Sequence, residues 1–300
     1  MDPLADVLDL ARVRGALLAS VRASAPWGLA LPQGDGASFH AVTAGTAWMC
    51  VPDHEPIQLM PGDLVLLPTG AAHTMSSELS VECPPYVKTP GELEIGGTGA
   101  VTTLACAGYS YDLEVAPRLM SLLPTVLHVP ADPAEGRDVA AIVELLAGEV
   151  GGRGAGSRTA VARLIDLLLI VAIRAWQPEA PSWLAGLHDP VVARALALLH
   201  ERPGEAWTLE GLAREVHLSR ATLARRFAAA VGEPPLAYLA GWRMDLAARR
   251  LRSSTDPIGE IAREVGYSSE YAFNRAFTRH RGEPPGRYRR GSLPARWRTR

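Results

Sequence analysis

At 300 residues and 32.0 kDa the chain is long enough for two domains of roughly 100 to 200 residues each. With 48% hydrophobic and 21% charged residues it has a globular balance, which excludes wholesale disorder, collagen-like repetition and a disulfide-dense mini-protein. The net charge of -2 hides a split: through Gly186 there are 10 Lys and Arg against 20 Asp and Glu, and beyond it 20 against 12, so the C-terminal part suits a polyanionic partner.

The first ten residues carry Asp2, Asp6 and Asp9 and no basic residue before Arg12, the reverse of a signal peptide. Residues 26 to 115 read as short strands, with apolar stretches at Phe39 to Val42, Ala47 to Val51, Leu64 to Leu67 and Val101 to Leu104 between Gly and Pro clusters. That pattern predicts an all-β sandwich or small barrel. From Asp138 the period becomes helical: Val139, Ile142, Val143, Leu145 and Leu146 mark one helix. After a break at Gly151 to Gly156, Val161, Leu164, Ile165, Leu168, Leu169 and Ala172 mark another. The second is apolar around most of its circumference, so it belongs either to the intramolecular core or to a homodimer seam that includes Leu168. Its longest apolar run, Leu164 to Ile173, is interrupted by Asp166 and is about half of a membrane span. No membrane segment is expected, and an odd three cysteines without an export signal point to a reducing cytoplasm. Gln177 to Gly186, with Pro178, Pro181 and an exposed Trp183, reads as a linker. Asp189 and Pro190 then supply an N-cap and an N1 proline for a helix through His200.

The last hundred residues repeat. Leu209 to Val216 (LEGLAREV) and Ile258 to Val265 (IGEIAREV) match at an offset of 49, and Phe227, Gly232 and Tyr238 match Phe277, Gly282 and Tyr288 at an offset of 50. Each copy reads as a helix, a short turn with Ser219 or Ser268 as N-cap, and a second helix closed by Gly232 or Gly282. A helix from Pro235 to Arg252 joins the copies. Two helices with a tight turn form a helix-turn-helix, whose second helix enters a DNA major groove. Leu223 and Phe227, like Phe273 and Phe277, stand four apart and face the core. That leaves Arg220, Ala221, Ala224 and Arg225 for the groove in the first copy, and Glu270, Tyr271, Asn274 and Arg275 in the second. Arg reads guanine, Asn adenine, and Glu accepts from cytosine; the alanines offer only contact with a thymine methyl. Each arginine has the alternative of a phosphate contact. The six arginines from Arg287 onward, without an acid among them, suit phosphate rather than bases.

The segment from about Asp189 to Arg290 resembles the AraC/XylS-family DNA-binding domain, and Pro257 to Arg289 carries that family's signature nearly in full. A second resemblance lies upstream. Gly62 to His73 (GDLVLLPTGAAH) has the spacing of the second cupin motif, and Gly34 to His40 begins the first. The N-terminal part is therefore similar to the cupin sensor domains that precede this DNA-binding domain. The resemblance implies that His40 and His73 project inward from neighbouring strands, with Cys106 as a third ligand for zinc or nickel. The alternative is that Cys106 is a small buried hydrophobe and the histidines are hydrogen-bonded core residues. The sequence departs from catalytic cupins at Val42 and Ala47, where a second His and a Glu would stand, and at Ser77 in place of an Asn.

These readings give an α+β multidomain protein: a cupin-like β-barrel or jelly roll over residues 1-130, a helical dimerisation segment and linker over 131-186, and an all-α double helix-turn-helix domain over 187-300. The expected function is that of a homodimeric regulator that binds double-stranded promoter DNA, answers to a small-molecule, metal or redox signal, has RNA polymerase as a further partner and catalyses no reaction. The alternatives are a cupin metalloenzyme of dioxygenase or isomerase type fused to a DNA-tethering domain, and a nonspecific chromosome-organising protein.

Overall fold

The computed structural model describes residues 2–86, 91–111, 117–132, 136–150, 154–178 and 180–292. Gly151 to Arg153 of the glycine break and the arginines of the tail beyond Ser292 lie outside them. Contacts divide the chain into two units, Arg12–Gln177 and a second formed by Met1–Ala11 together with Pro178–Arg300. Among the described residues no helix is long and apolar enough to cross a membrane.

Among its described residues the Arg12–Gln177 unit holds ten strands: β1 (Arg14–Ser24), β2 (Gly28–Leu31), β3 (Ala37–Ala44), β4 (Ala47–Cys50), β5 (Ile57–Leu59), β6 (Leu64–Leu67), β7 (His73–Ser76), β8 (Gly91–Gly96), β9 (Val101–Ser110) and β10 (Leu127–Val129). They form a six-stranded sheet in the order β10-β6-β3-β9-β1-β8 and a four-stranded sheet in the order β2-β7-β4-β5. All pairings are antiparallel except that of β1 with β8. The inner faces bury Val42, Met49, Leu59, Val65, Met75 and Leu104 between the sheets. β1 lies upstream of the predicted strand region. Its signal was the alternation of buried Ala19, Val21 and Ala23 with the less buried Ser20 and Arg22.

The Gly and Pro positions of the motifs shape the turns. Gly62 and Gly70 have positive φ, and a Cβ on Gly70 would stand 2.3 Å from the Gly36 carbonyl oxygen. Asp63, just after Gly62, is buried and accepts from the amides of Met60 and Ala131 and from His128 Nε2. Burial by itself pushes its carboxyl up, but these three donors outweigh it and hold the carboxyl below its ordinary range.

The outer face of the larger sheet is covered by helices. α1 (Pro3–Leu10) belongs to the other unit; here α2 (Pro117–Met120) lies between β9 and β10, and α3 (Arg137–Glu149) and α4 (Ser157–Ala175) follow the strands. α4 packs on β1 so closely that a Cβ on Gly15 would meet Ile165 Cγ2 at 2.2 Å, and Tyr109 of β9 donates to the Ile165 carbonyl at 2.7 Å. Leu168, left by the sequence to either the intramolecular core or a homodimer seam, is fully buried within the chain. The exposed apolar positions are instead Leu145 of α3 and Leu167 of α4, because the intramolecular core claims the Val161, Ile165 and Leu168 face.

The second unit is helical: α1, then α5 (Trp183–Gly186), α6 (Pro190–Glu201), α7 (Leu209–Glu215), α8 (Arg220–Val231), α9 (Pro235–Ser253), α10 (Ile258–Glu264), α11 (Glu270–Arg281) and α12 (Pro285–Ser292). α1 and α6 begin alike, with an aspartate N-cap, Asp2 or Asp189, followed by proline. The segment read as a linker is structured. Ser182 caps α5, its amide donates to the Ala230 carbonyl, and Trp183 is buried rather than exposed because α5 packs on α6 and α8.

Candidate functional site

The two helix-turn-helix copies correspond element by element once one insertion is placed. Two residues after α7 and α10 the backbone turns left-handed, at His217 with φ 55° and at Gly266 with φ 86°; the next amides, of Leu218 and Tyr267, donate to the Ala213 and Ala262 carbonyls. The second copy then carries one residue more, Ser268, so the N-cap of α11 is Ser269 rather than the predicted Ser268. Ser219 accepts from the Thr222 amide and Ser269 from the Ala272 amide, restoring the offset of 50. Both helices run 12 residues to a left-handed glycine, Gly232 or Gly282.

The core faces are equivalent too. Phe227 meets Tyr238 edge-on at 6.0 Å between ring centroids, and Phe277 meets Tyr288 at 5.3 Å. With Leu223, Phe227, Phe273 and Phe277 buried, the opposite faces stand outward. Arg220, Ala221 and Arg225 are exposed on α8 with Ala224 half-buried; Glu270, Tyr271 and Arg275 are exposed on α11 with Asn274 half-buried. All eight residues singled out by sequence therefore lie on the two solvent faces.

Three details lay beyond sequence reading. The Arg275 guanidinium lies 5.9 Å from the centroid of the Tyr271 ring, which orients it before DNA arrives. Asn274 Nδ2 donates to the Glu270 carbonyl within α11, so reading an adenine requires that bond to be exchanged. Arg226, next to Arg225, is committed elsewhere: its Nε lies 2.6 Å from Asp189 Oδ2, tying α8 to the cap of α6. Burial pushes the Asp189 carboxyl up, yet Arg226 and the amides of Val191 and Val192 hold it below the ordinary range.

In the other unit the structure brings His40, His73 and Cys106 together. His40 and Cys106 are directly opposite in the β3–β9 register, with Nδ1 to Sγ 3.0 Å. His40 Nε2 lies 2.9 Å from His73 Nε2, and His73 Nδ1 lies 2.7 Å from the Ala71 carbonyl oxygen. This is a chain and not a ring around a common point. Cys106 and His73 address opposite nitrogens of one imidazole, whose lone pairs diverge, so in this arrangement the three do not point at a common position for a zinc or nickel ion. Among the described residues no group of three or more His, Cys, Asp or Glu is arranged to hold a metal ion. Val42 and Ala47, where catalytic cupins would place His and Glu, are buried in the core.

For neutral rings the chain has one consistent set of donors. A carbonyl only accepts, so His73 Nδ1 donates to Ala71; His73 Nε2 then accepts from His40 Nε2, and His40 Nδ1 accepts from the Cys106 thiol. Beside it is a cavity of about 90 Å³ lined by Leu29, Leu31, Met75 and Leu104, with Ser38, His40 and Cys106 as polar edge. Ser38 Oγ is buried there without a hydrogen-bond partner among the described residues.

Comparison with known proteins agrees with both units. A cupin family profile matches residues 2–177, and a helix-turn-helix domain profile matches residues 212–291. A putative AraC-like transcription regulator of Streptomyces antibioticus is 37% identical over 98% of this chain and 100% of its own length. The chain belongs to the AraC family of transcription regulators. Another relative of this AraC-family chain, the regulator AlkR of Acinetobacter baylyi, is 29% identical over 97% of the chain and 100% of its own length. The solved DNA-binding domain of AdpA, in complex with a target DNA, is 34% identical over 34% of the chain and 92% of that domain, with a TM-score of 0.33. As an AraC-family regulator the chain binds double-stranded DNA through its helix-turn-helix domain.

Proposed function

We propose that this AraC-family chain is a homodimeric cytoplasmic regulator, without catalytic activity of its own, that reads promoter DNA with α8 and α11 and delivers RNA polymerase the state of the chamber between its sheets. The observation that carries the reading is the pair of equivalent, solvent-facing helices bearing Arg225 and Arg275 at matching positions. Their bases-first role is supported by the asymmetry of the remaining readers, alanines on α8 against Glu270, Tyr271 and Asn274 on α11. A protein that only coats DNA has no use for such differences. The chamber is apolar with a few polar groups at one edge, the usual composition of a small-molecule site. The metalloenzyme reading loses its support with the missing ligands at Val42 and Ala47 and the divergent nitrogens of His40.

Mapping the protein's positions on its own genome, with and without candidate effectors, tests this. Focused occupancy at promoters that share a two-part sequence is expected, with occupancy or transcription changed by an effector. Even coverage without a shared sequence would establish nonspecific packaging instead.

A further inference from the structure

We propose that Cys106 is an addition site for small α,β-unsaturated carbonyl compounds, taken up in the chamber beside it; the inference rests on reading that chamber as the effector site. Four features converge. Cys106 is half-buried and lines the cavity, so its sulfur is within reach of a bound molecule. His40 Nδ1, 3.0 Å from Sγ, stands where it takes the thiol proton, and the sheet register fixes that pairing. The far side of His40 is bonded to His73, which is itself fixed on the Ala71 carbonyl, so the ring cannot turn its Nδ1 away without breaking its bond to His73. Ser38 stands two residues before His40 on β3 and lines the same cavity, and its buried Oγ has no hydrogen-bond partner among the described residues. A buried hydroxyl is costly unless something bonds to it. A carbonyl oxygen in the chamber would accept that hydrogen bond.

The addition balances without an oxidant or reductant. The sulfur bonds to the β-carbon as its proton passes to His40 Nδ1, and the C=C pair moves onto the carbonyl as an enolate whose oxygen accepts from Ser38. The proton on His40 then returns to the α-carbon, leaving a neutral imidazole, a thioether and a saturated carbonyl. The apolar walls suit a short hydrocarbon rather than a sugar or a phosphate. Their volume, below the roughly 150 Å³ of a cavity that takes benzene, limits the ligand to a few heavy atoms. The other two cysteines are similarly half-buried but differently placed. Cys83 Sγ points toward the carbonyls of Met75 and Val81, which hold a thiol and repel a thiolate.

The test uses the full-length chain, reduced beforehand, with acrolein as probe and intact mass plus peptide mapping as readout. One acrolein per chain is expected on Cys106, formed about tenfold or more faster than on Cys50 or Cys83. Ser38→Ala should slow acrolein addition about fivefold while leaving alkylation of Cys106 by iodomethane, which has no carbonyl, unchanged. His40→Gln should slow both reagents. Circular dichroism checks that this variant folds, and Ser38→Ala decides the matter if it does not. Equal rates at the three cysteines, faster reaction at Cys50 or Cys83, or a Ser38→Ala variant with unaltered acrolein kinetics would overturn the proposal. Binding of a promoter fragment, measured separately, distinguishes the two readings. An unmodified protein without sequence preference defeats the regulator reading, whereas intact DNA recognition with an unreactive Cys106 defeats only this one.

Discussion

Asp6 Oδ2 lies 3.2 Å from His200 Nδ1, joining positions 194 apart in sequence, while His200 Nε2 meets the Tyr238 hydroxyl at 2.7 Å. The imidazole is fully buried and stacks on Trp242 at 4.1 Å. The N-terminal helix α1 is thus a structural part of the DNA-binding unit. Asp6→Ala strips the Nδ1 side of a buried ring of this partner and should cost about 1 to 3 kcal/mol in urea unfolding of the full chain. An unchanged midpoint would show the contact to be energetically idle.

Base reading by α8 and α11 predicts a sequence-dependent penalty. Arg225→Ala and Arg275→Ala should each weaken the preferred site by about 1 to 3 kcal/mol and relax the base preference at one position. Footprints should show two contact patches about one helical turn apart for each protomer. Uniform loss on every sequence would make the arginines phosphate contacts. Tyr271→Ala, which frees Arg275, should reproduce a smaller version of the Arg275 effect.

The burial of Leu168 separates folding from assembly. Leu168→Glu places an unpaired charge in the α4 core and should destabilise the chain by about 3 kcal/mol or more. Leu167→Glu, at an exposed position on the same helix, should leave the unfolding midpoint nearly unchanged and shift sedimentation from dimer to monomer. A folded Leu167→Glu variant that still sediments as a dimer would place the interface elsewhere.

Asp63 gives a pH signature. Its folded carboxyl titrates below its ordinary range, so its contribution is fully present above the unfolded value of about 3.9 and is lost as the pH falls through the lower folded value. Asp63→Asn should therefore be less stable than wild type at pH 7, with the gap narrowing as the pH falls below about 3.9. No gap at pH 7 would mean that the three donors bind the amide as well as the carboxylate.

Metal titration tests the chain-like arrangement of the chamber. Because His40 presents its two nitrogens to different partners, zinc retained after gel filtration should be the same in wild type and in His73→Ala. Stoichiometric zinc that disappears with His73→Ala would show that the three side chains rearrange around an ion.

Much of this protein was written locally. The duplicated helix-turn-helix, its glycine stops and the outward faces of α8 and α11 follow from periods, caps and motif spacing, which depend on neighbours a few residues away, whereas the convergence of His40, His73 and Cys106 was implied by the cupin resemblance. Tertiary structure decided what distant segments do to one another. The Asp2-Pro3 start of α1 was readable, being the same device as Asp189-Pro190, but nothing nearby could announce that Asp6 meets His200. Trp183 looked solvent-bound among prolines until α6 and α8 covered it. Leu168 and Leu167 are neighbours of equal hydrophobicity, and only the position of β1 beneath α4 buries one and leaves the other exposed. The same holds in the chamber, where the β3–β9 register, and nothing local to either strand, sets Cys106 on one side of His40 and leaves His73 on the other.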